Sequence, residues 1–207
     1  MPKVFVPADT TACALGADAV AEEIALQARN RGLDISLVRN GSRGAFWLEP
    51  LVEIEAEGER LAYGPVSADD VAGLFKAGFP RQCEHPLFLG KLADIEWLAH
   101  QDRLTFNRAG QVDPLSLDDY KHHGGYEGLN KALDMSPAEI VDAVTESGLR
   151  GRGGAAFPTG IKWRTVLDAP ADQKYVTANA DEGDSGTYAD RLLMEADPFQ
   201  LIEGMTI

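Results

Sequence analysis

The sequence predicts a protein of the α/β class. Short apolar runs with two-residue alternation are typical of strands, and between the first two of them apolar residues recur at helical spacing. Glycine and proline separate these stretches at the places where turns are expected. The composition, with 44% hydrophobic and 25% charged residues, is that of an ordinary globular protein. A chain of 207 residues is long enough for one large or two small domains that each bury a core.

The N-terminal region has the predicted order β-α-β-β-β-α. Its first helix places Val20 and Ile24 on one face and ends before Gly32, a residue that suits the position after a helix. Ser67 and Asp70 have the spacing of a capping box at the start of the second helix. We therefore predict a compact α/β domain over residues 1–79. The predicted elements are strands over residues 3–6, 34–38, 51–55 and 60–63, a helix from residue 17, and a helix that begins at residue 67.

Residues 80–125 are interpreted as a packed connector. Pro86, Gly90 and Pro114 interrupt any regular pattern in this stretch. Apolar residues such as Leu89 and Trp97 are nevertheless too frequent for a linker that is surrounded by water. We expect the segment to lie against its neighbours.

Residues 126–207 are predicted to begin a further α/β domain. Ser136, Pro137 and Glu139 supply an N-cap, a first-turn proline and an N3 acid, and the helix that they open ends at Gly148. Residues 174–178 are predicted to form a strand. The sequence is still apolar at its last residues, so this domain is expected to be truncated at residue 207.

Charge and cysteine content exclude several classes of partner. The chain has 19 Lys and Arg residues against 33 Asp and Glu residues, and its net charge of −14 would repel a nucleic-acid backbone. No stretch approaches the roughly 20 apolar residues of a membrane span, and no signal peptide is apparent, so a cytoplasmic protein is expected. Cys13 and Cys83 are too far apart in sequence to form a metal site by themselves, and no metal is predicted in this segment.

A basic glycine-rich stretch stands out against this acidic background. Residues 149–164 contain four cationic side chains and no acid. Their four glycines can adopt positive φ and bring backbone N–H groups close to an anion, and Thr159 can cap a following helix. The stretch therefore predicts a phosphate or dinucleotide cradle, with a flexible basic surface loop as the alternative. The cations are Arg150, Arg152, Lys162 and Arg164, and the glycines are Gly151, Gly153, Gly154 and Gly160.

Two standard phosphate motifs fail to match this stretch. Gly151, Gly153 and Ala156 have the spacing of the dinucleotide fingerprint, but a helix precedes them where a Rossmann unit requires a strand. The Walker A motif requires Lys directly after glycine, whereas Ile161 separates Gly160 from the lysine. The cradle is therefore predicted to have another architecture.

An acidic loop follows the predicted strand over residues 174–178. Ligands of open α/β sheets bind at the carboxyl ends of strands, where this loop would lie. Asn179 can both donate and accept, and the carboxylates of Asp181, Glu182 and Asp184 can accept from ribityl or ribose hydroxyls. The alternative is an acidic turn that precedes a capped helix.

The two loops together resemble a known family. Ser147-Gly-Leu-Arg-Gly-Arg-Gly-Gly-Ala-Ala-Phe-Pro-Thr-Gly-Ile-Lys-Trp163 and Asn179-Ala-Asp-Glu-Gly-Asp-Ser-Gly-Thr-Tyr-Ala-Asp-Arg191 are similar to the flavin-binding, NADH-oxidising subunit of respiratory complex I. The same subunit recurs in NAD-reducing hydrogenases and in NAD-dependent molybdenum or tungsten formate dehydrogenases. The resemblance covers residues 126–207 and implies a pocket for FMN with NADH stacked on it.

The resemblance also implies which residues bind each cofactor, and it assigns no catalytic side chain because the flavin supplies the hydride chemistry. The sequence departs from the family at Ala156, where many members have glycine, and at Asp184, where glutamate is usual in complex I. The implied FMN-binding residues are Gly151, Arg152, Gly153, Lys162, Asn179, Asp181 and Glu182. The implied NAD-binding residues are Gly154, Ala155, Ala156, Phe157 and Asp184.

The N-terminal domain resembles a thioredoxin-like [2Fe–2S] ferredoxin domain. The similarity rests on residues 10–17 and 40–52 together with the predicted strand order. It places Ala8, Cys13, Ser42 and Phe46 at the four cluster-ligand positions, so three of the four thiolates are missing. The resemblance thus implies a degenerate ferredoxin domain without a cluster, which is retained for docking a partner.

Together the resemblances imply a diaphorase that exchanges a hydride between NAD(H) and FMN and passes electrons to or from iron–sulfur clusters. The missing cysteines favour the beta subunit of a formate dehydrogenase. Its implied partners are a [2Fe–2S] ferredoxin-like gamma subunit and a molybdenum or tungsten alpha subunit, and a [4Fe–4S] cluster is expected in chain beyond residue 207. The alternatives are the equivalent subunit of an NAD-reducing hydrogenase or complex I, and a non-catalytic assembly subunit that has lost flavin.

Overall fold

The chain folds into two compact units. A computed structural model describes all residues from Met1 to Ile207. The first unit contains residues 1–123 and 192–198, and the second contains residues 124–191 and 199–207. The region interpreted as a connector thus lies almost wholly in the first unit.

The elements agree in kind with most of the predicted ones. The strands are β1 (Lys3–Phe5), β2 (Ser36–Val38), β3 (Val52–Ala56), β4 (Glu59–Tyr63) and β5 (Phe88–Lys91). The helices are α1 (Thr10–Ala14), α2 (Ala17–Asn30), α3 (Ala68–Ala77), α4 (Glu96–Ala99), α5 (Leu117–His122), α6 (Glu127–Leu133), α7 (Pro137–Glu146), α8 (Thr159–Asp168), α9 (Ala189–Ala196) and α10 (Pro198–Thr206). None of these helices is long and apolar enough to cross a bilayer.

The five strands form one sheet in the first unit. Its order is β2-β1-β3-β4-β5. Strands β1 and β2 are parallel, and the remaining three neighbouring pairs are antiparallel. Helix α2 connects the two parallel strands, as a parallel crossover requires. The α/β class is therefore confirmed, and the order of the elements along the chain up to α3 agrees with the predicted β-α-β-β-β-α order apart from the additional short helix α1.

Strand β5 is an element that the sequence pattern did not indicate. It lies in the region interpreted as a connector and pairs with β4, with Leu61 opposite Lys91 and Tyr63 opposite Phe88. The pairing is irregular next to Tyr63, and Gly90 has a positive φ of 90°. A four-residue strand that contains such a glycine has too little alternation to be recognised locally.

The core of the first unit lies between the sheet and helices α2 and α3. Val20 and Ile24 of α2 are almost completely buried with Val4 and Ile54 of the central strands. Leu74 of α3 belongs to the same cluster. Full burial of a side chain of this size contributes about 1.5–3 kcal/mol, so this cluster is the main source of stability for the unit.

Residues 192–198 complete the first unit from a distant part of the sequence. A Cβ on Gly41 would lie 2.7 Å from the Cα of Ala196, which shows how closely the two backbones approach. Arg108 Nε also donates to Asp197 Oδ2 at 2.8 Å, and Asp197 is 1% exposed. Glycine at position 41 is therefore required by packing.

The regular elements of the second unit are all helices, and the strand predicted over residues 174–178 is wrong for this structure. A strand needs a neighbour for its backbone groups, and no strand lies elsewhere in this unit. The segment instead borders an apolar cavity of about 450 Å³. Tyr175 and Val176 line this cavity together with Trp163 of α8 and Ile140 of α7.

Candidate nucleotide-binding site

The predicted cradle is a closed loop between α7 and α8. Residues 150–158, here called the glycine loop, begin and end at an antiparallel bridge between Arg150 and Pro158. Gly151 N donates to Phe157 O at 2.8 Å, and Thr159 N donates to Leu149 O at 2.9 Å. These bonds hold the two ends of the loop beside each other, so that residues 152–156 form a closed turn between them.

The middle of the glycine loop presents unused backbone donors. The N–H groups of residues 152–156 donate to no acceptor in the protein. Gly154 has a φ of 101° and Ala156 a φ of 49°, so left-handed residues alternate with others along the loop. Successive N–H groups in such a conformation can surround an anion. A left-handed backbone conformation costs an alanine about 1–2 kcal/mol, which explains why glycine would suit position 156 better.

The four cations of the stretch have different roles. Arg150 Nη1 donates to Ala156 O at 3.0 Å and thereby supports the loop, and Arg164 forms an ion pair with Asp142. Arg152 is exposed and has no ion pair. Lys162 Nζ lies 5.8 Å from the centre of the Phe157 ring and has no carboxylate partner. Arg152 and Lys162 are therefore the side chains available to an anion.

Two details of the prediction are wrong in the structure. The N-cap of α8 is Pro158, whereas Thr159 is the first helical residue, and no side chain caps this helix. Gly154 is the one glycine of the predicted four with a positive φ. Gly160 is buried instead, because a Cβ there would lie 2.6 Å from the Cα of Thr145 on α7. Its smallness allows α7 and α8 to pack closely.

Replacing Gly160 with alanine is therefore expected to lower the free energy of unfolding by about 1–3 kcal/mol, the usual cost of overpacking. The contact with the Thr145 Cα is a backbone contact that no rotamer change relieves, so adding Thr145→Ala should not restore stability. Gly153→Ala is the matched control, because a Cβ on Gly153 meets nothing within 4 Å. Chemical denaturation of the three variants is the measurement, and equal stability of Gly160→Ala and Gly153→Ala would contradict the packing role.

The acidic loop, residues 179–187, is exposed and partly organised by its own side chains. Asn179 Oδ1 accepts from Asp181 N at 3.0 Å. The Glu182 carboxylate accepts from the backbone N–H groups of Asp190 and Arg191 at 3.0 and 3.2 Å, and so caps the first turn of α9. Asp181 and Asp184 are exposed and form no ion pair. The alternative of an acidic turn before a capped helix therefore describes Glu182 well in this structure.

The four positions aligned with cluster ligands lie in the first unit with other partners. Ser42 is buried, and its hydroxyl donates to Glu49 Oε1 at 2.6 Å. Cys13 Sγ lies 3.5 Å from Asp18 Oδ1, and burial and this bond raise the pKa of the thiol. Ala8 is exposed, and Phe46 begins a short 3₁₀ turn.

A comparison with protein families matches the region that contains both loops. Residues 144–207 match the family model described as the Nuo51 FMN-binding domain. This segment is similar to that family. It is called the Nuo51 segment below, and it includes every residue assigned to FMN or NAD from the sequence.

Curated relatives match about half of the chain. The NADP-reducing hydrogenase subunit HndC of Solidesulfovibrio fructosivorans is 55% identical over 107 residues, which are 52% of this chain and 22% of that protein. An NADH-quinone oxidoreductase subunit of Aquifex aeolicus is 53% identical over 104 residues, 50% of this chain and 24% of that protein. The chain thus spans less than a quarter of the length of these relatives.

Solved structures match at lower similarity. The thioredoxin-like [2Fe-2S] ferredoxin from Aquifex aeolicus has a TM-score of 0.38 and 17% identity, covering 44% of this chain and 98% of that chain. An NAD+-reducing [NiFe]-hydrogenase has a TM-score of 0.39 and 22% identity, covering 99% of this chain and 34% of that chain.

Proposed function

We propose that the chain is an FMN- and NAD(H)-binding module that exchanges a hydride with NAD(H). The observation that carries this proposal is the coincidence of the Nuo51 segment with a loop that presents a row of unused N–H groups. The names of the relatives, an NADP-reducing hydrogenase subunit and NADH-quinone oxidoreductase subunits, support an oxidoreductase role.

The donors of the glycine loop suit a phosphate. The N–H groups of residues 152–156 and the side chains of Arg152 and Lys162 offer hydrogen bonds and positive charge, and no carboxylate lies in the loop to compete. The uncapped N-terminus of α8 adds a partial positive charge beside them. Arg152, Gly153 and Lys162 are accordingly proposed to hold the FMN phosphate. Gly151, whose N–H already donates to Phe157 O, is proposed to contact FMN without donating to the phosphate.

The acidic loop suits hydroxyl and amide groups. The carboxylates of Asp181 and Asp184 are acceptors without a protein partner, and Asn179 retains its amide donors. We assign Asn179, Asp181 and Glu182 to FMN and Asp184 to NAD. For Glu182 this role requires its carboxylate to bind FMN besides capping α9, or instead of capping it.

Residues 154–157 of the glycine loop are assigned to NAD. The Phe157 side chain is 45% exposed, so its ring can stack on an adenine. Bound FMN would supply hydride transfer and single-electron transfer, and the protein contributes binding and orientation. No side chain is therefore assigned as an acid or a base.

Lys162→Ala is expected to weaken FMN binding by about 1.5–3 kcal/mol, the range for a hydrogen bond to a charged group. Lys131→Ala is the matched control, because Lys131 is an exposed lysine of α6 in the same unit. Titration of the purified protein with FMN, followed by quenching of flavin fluorescence, measures the difference. Equal affinities in the two variants would remove the glycine loop from the proposed site.

Flavin content separates this proposal from a non-catalytic assembly subunit. A purified protein that has the visible absorption band of flavin, or acquires it with added FMN, supports the module. A colourless protein that does not take up FMN would favour the assembly role.

Formate is the proposed source of electrons, in a cytoplasmic complex with a [2Fe–2S] gamma subunit and a molybdenum or tungsten alpha subunit. The support is the absence of three of four cluster cysteines at Ala8, Ser42 and Phe46. Formate-driven NAD⁺ reduction by the purified native complex tests this choice. Reduction driven by hydrogen alone would assign the chain to a hydrogenase instead.

A further inference from the structure

A buried group of charges lies in the first unit, in a different unit from the glycine loop. Glu53 of β3 is 1% exposed and binds two guanidinium groups. Arg43 Nε donates to Glu53 Oε1 at 2.6 Å, and Arg43 Nη2 donates to Glu53 Oε2 at 3.0 Å. Arg60 Nη1 donates to Glu53 Oε2 at 2.9 Å. One carboxylate therefore serves two largely buried arginines.

A third guanidinium joins this group without a carboxylate of its own. Arg103 Nη2 donates to the backbone oxygen of Arg43 at 3.0 Å. Burial, and then the positive charge of Arg43, lower the pKa of Arg103, and burial also lowers the pKa of Arg60. The three guanidiniums share one hydrogen-bonded carboxylate, so the group has positive charge in excess.

These side chains line a cavity of about 400 Å³. Its wall combines Arg43, Arg60 and Arg103 with the apolar side chains of Leu92 and Leu98. The other charges of the wall, Lys91 and Glu59, neutralise each other in an exposed ion pair at 2.7 Å. The volume lies within the range of small-molecule sites.

The guanidinium groups of the residues that line this cavity are held in place, but not all of their donors are used. Arg43 is 7% exposed, and its Nη1 atom has no acceptor in the protein. Arg103 likewise has no acceptor for Nε and Nη1. Gly110 fixes Arg43, because its backbone oxygen accepts from Arg43 Nη2 at 3.0 Å and a Cβ there would lie 2.5 Å from Arg43 Cγ.

We propose that this cavity, here called the arginine cavity, binds a small oxyanion, either a carboxylate or a phosphate ester, with an apolar body of a few carbons. Two guanidinium groups with free N–H donors match the oxygens of such a group, and Leu92 and Leu98 would contact its carbon atoms. Buried cations that lack full compensation are costly, and a bound anion would remove that cost.

Calorimetric titration of the whole protein with inorganic phosphate and, separately, with succinate tests the proposal. We expect saturable binding of at least one probe, and the probe that binds distinguishes phosphate from carboxylate ligands. Arg103→Gln should weaken that binding about 10- to 100-fold, as expected for lost hydrogen bonds to a charged group. Arg81→Gln is the matched control, because Arg81 is exposed and does not line the cavity.

Lys162→Ala provides a second control, since the glycine loop is itself proposed to hold a phosphate. Binding that persists in Lys162→Ala and weakens in Arg103→Gln supports the arginine cavity. Arg103→Lys keeps the charge but loses the planar arrangement of N–H donors, so it should also weaken binding. This variant replaces Arg103→Gln in the experiment if Arg103→Gln does not fold. Absence of binding of both probes to the unaltered protein, or equal weakening by Arg103→Gln and Arg81→Gln, would overturn the proposal.

Discussion

Glu53→Gln is expected to lower the free energy of unfolding by about 3–5 kcal/mol, the cost of breaking a buried ion pair by removing one partner. The substitution keeps the shape of the side chain but leaves Arg43 and Arg60 without their shared negative charge. Arg43 is 7% exposed, so water can compensate for the lost negative charge only in part.

Glu55→Gln is the matched control for this substitution. Glu55 lies on the same strand and forms an ion pair with Lys3 at 3.6 Å, but both side chains are about half exposed. Exposed pairs contribute about 0–1 kcal/mol, so this variant should remain close to the unaltered protein. Chemical denaturation followed by circular dichroism measures both. A loss of less than about 1 kcal/mol for Glu53→Gln would mean that the buried cations are compensated in another way.

The stability of the first unit is expected to fall as the pH rises from about 4.5 to about 7. Burial is the main reason that the pKa of Glu49 rises from its usual 4.5 to about 7, and the charges of Asp9 and Glu53 act in the same direction. The folded protein therefore holds this proton more tightly than the unfolded chain. The resulting stabilisation, about 3 kcal/mol, is fully present below pH 4.5 and is lost as the pH passes the folded-state pKa.

Glu49→Gln isolates this contribution, because glutamine resembles the protonated acid at every pH. Its amide can accept from Leu51 N and donate to Ser42 Oγ, which covers the two contacts of the Glu49 carboxylate. The stability difference between the two proteins should change by about 3 kcal/mol across this pH range, with the variant the more stable at pH 8. A constant difference would show that Glu49 titrates alike in the folded and unfolded states.

Local sequence patterns predicted the parts of the fold that local forces determine. The helix opened by Ser136 has both bonds of its predicted capping box. The alternating apolar residues of β3 and β4 likewise predicted two paired strands. Strand β5 and the absent strand over residues 174–178 depend on whether a neighbouring strand exists, which no local pattern contains.

The candidate site shows the same division. Its composition of glycines and cations indicated an anion cradle, and the structure gives that loop unused N–H donors. The sequence could not distinguish Arg164, which pairs with Asp142 across 22 positions, from the available Lys162. Nor could it assign Gly160 to helix packing, since Thr145 lies on another helix. Contacts between residues that are distant in sequence depend on the tertiary structure, so local sequence patterns do not indicate them.

The first unit is assembled from two separate stretches of sequence, and this affects the order of folding during synthesis. The ribosome releases residues 1–123 well before residues 192–198, which supply the backbone against Gly41 and the carboxylate that binds Arg108. Until the later stretch emerges, the guanidinium of Arg108 lacks that carboxylate and the close contact at Gly41 is unmade. The first unit therefore cannot complete its packing until residues 192–198, near the end of the 207-residue sequence, have been synthesised and released.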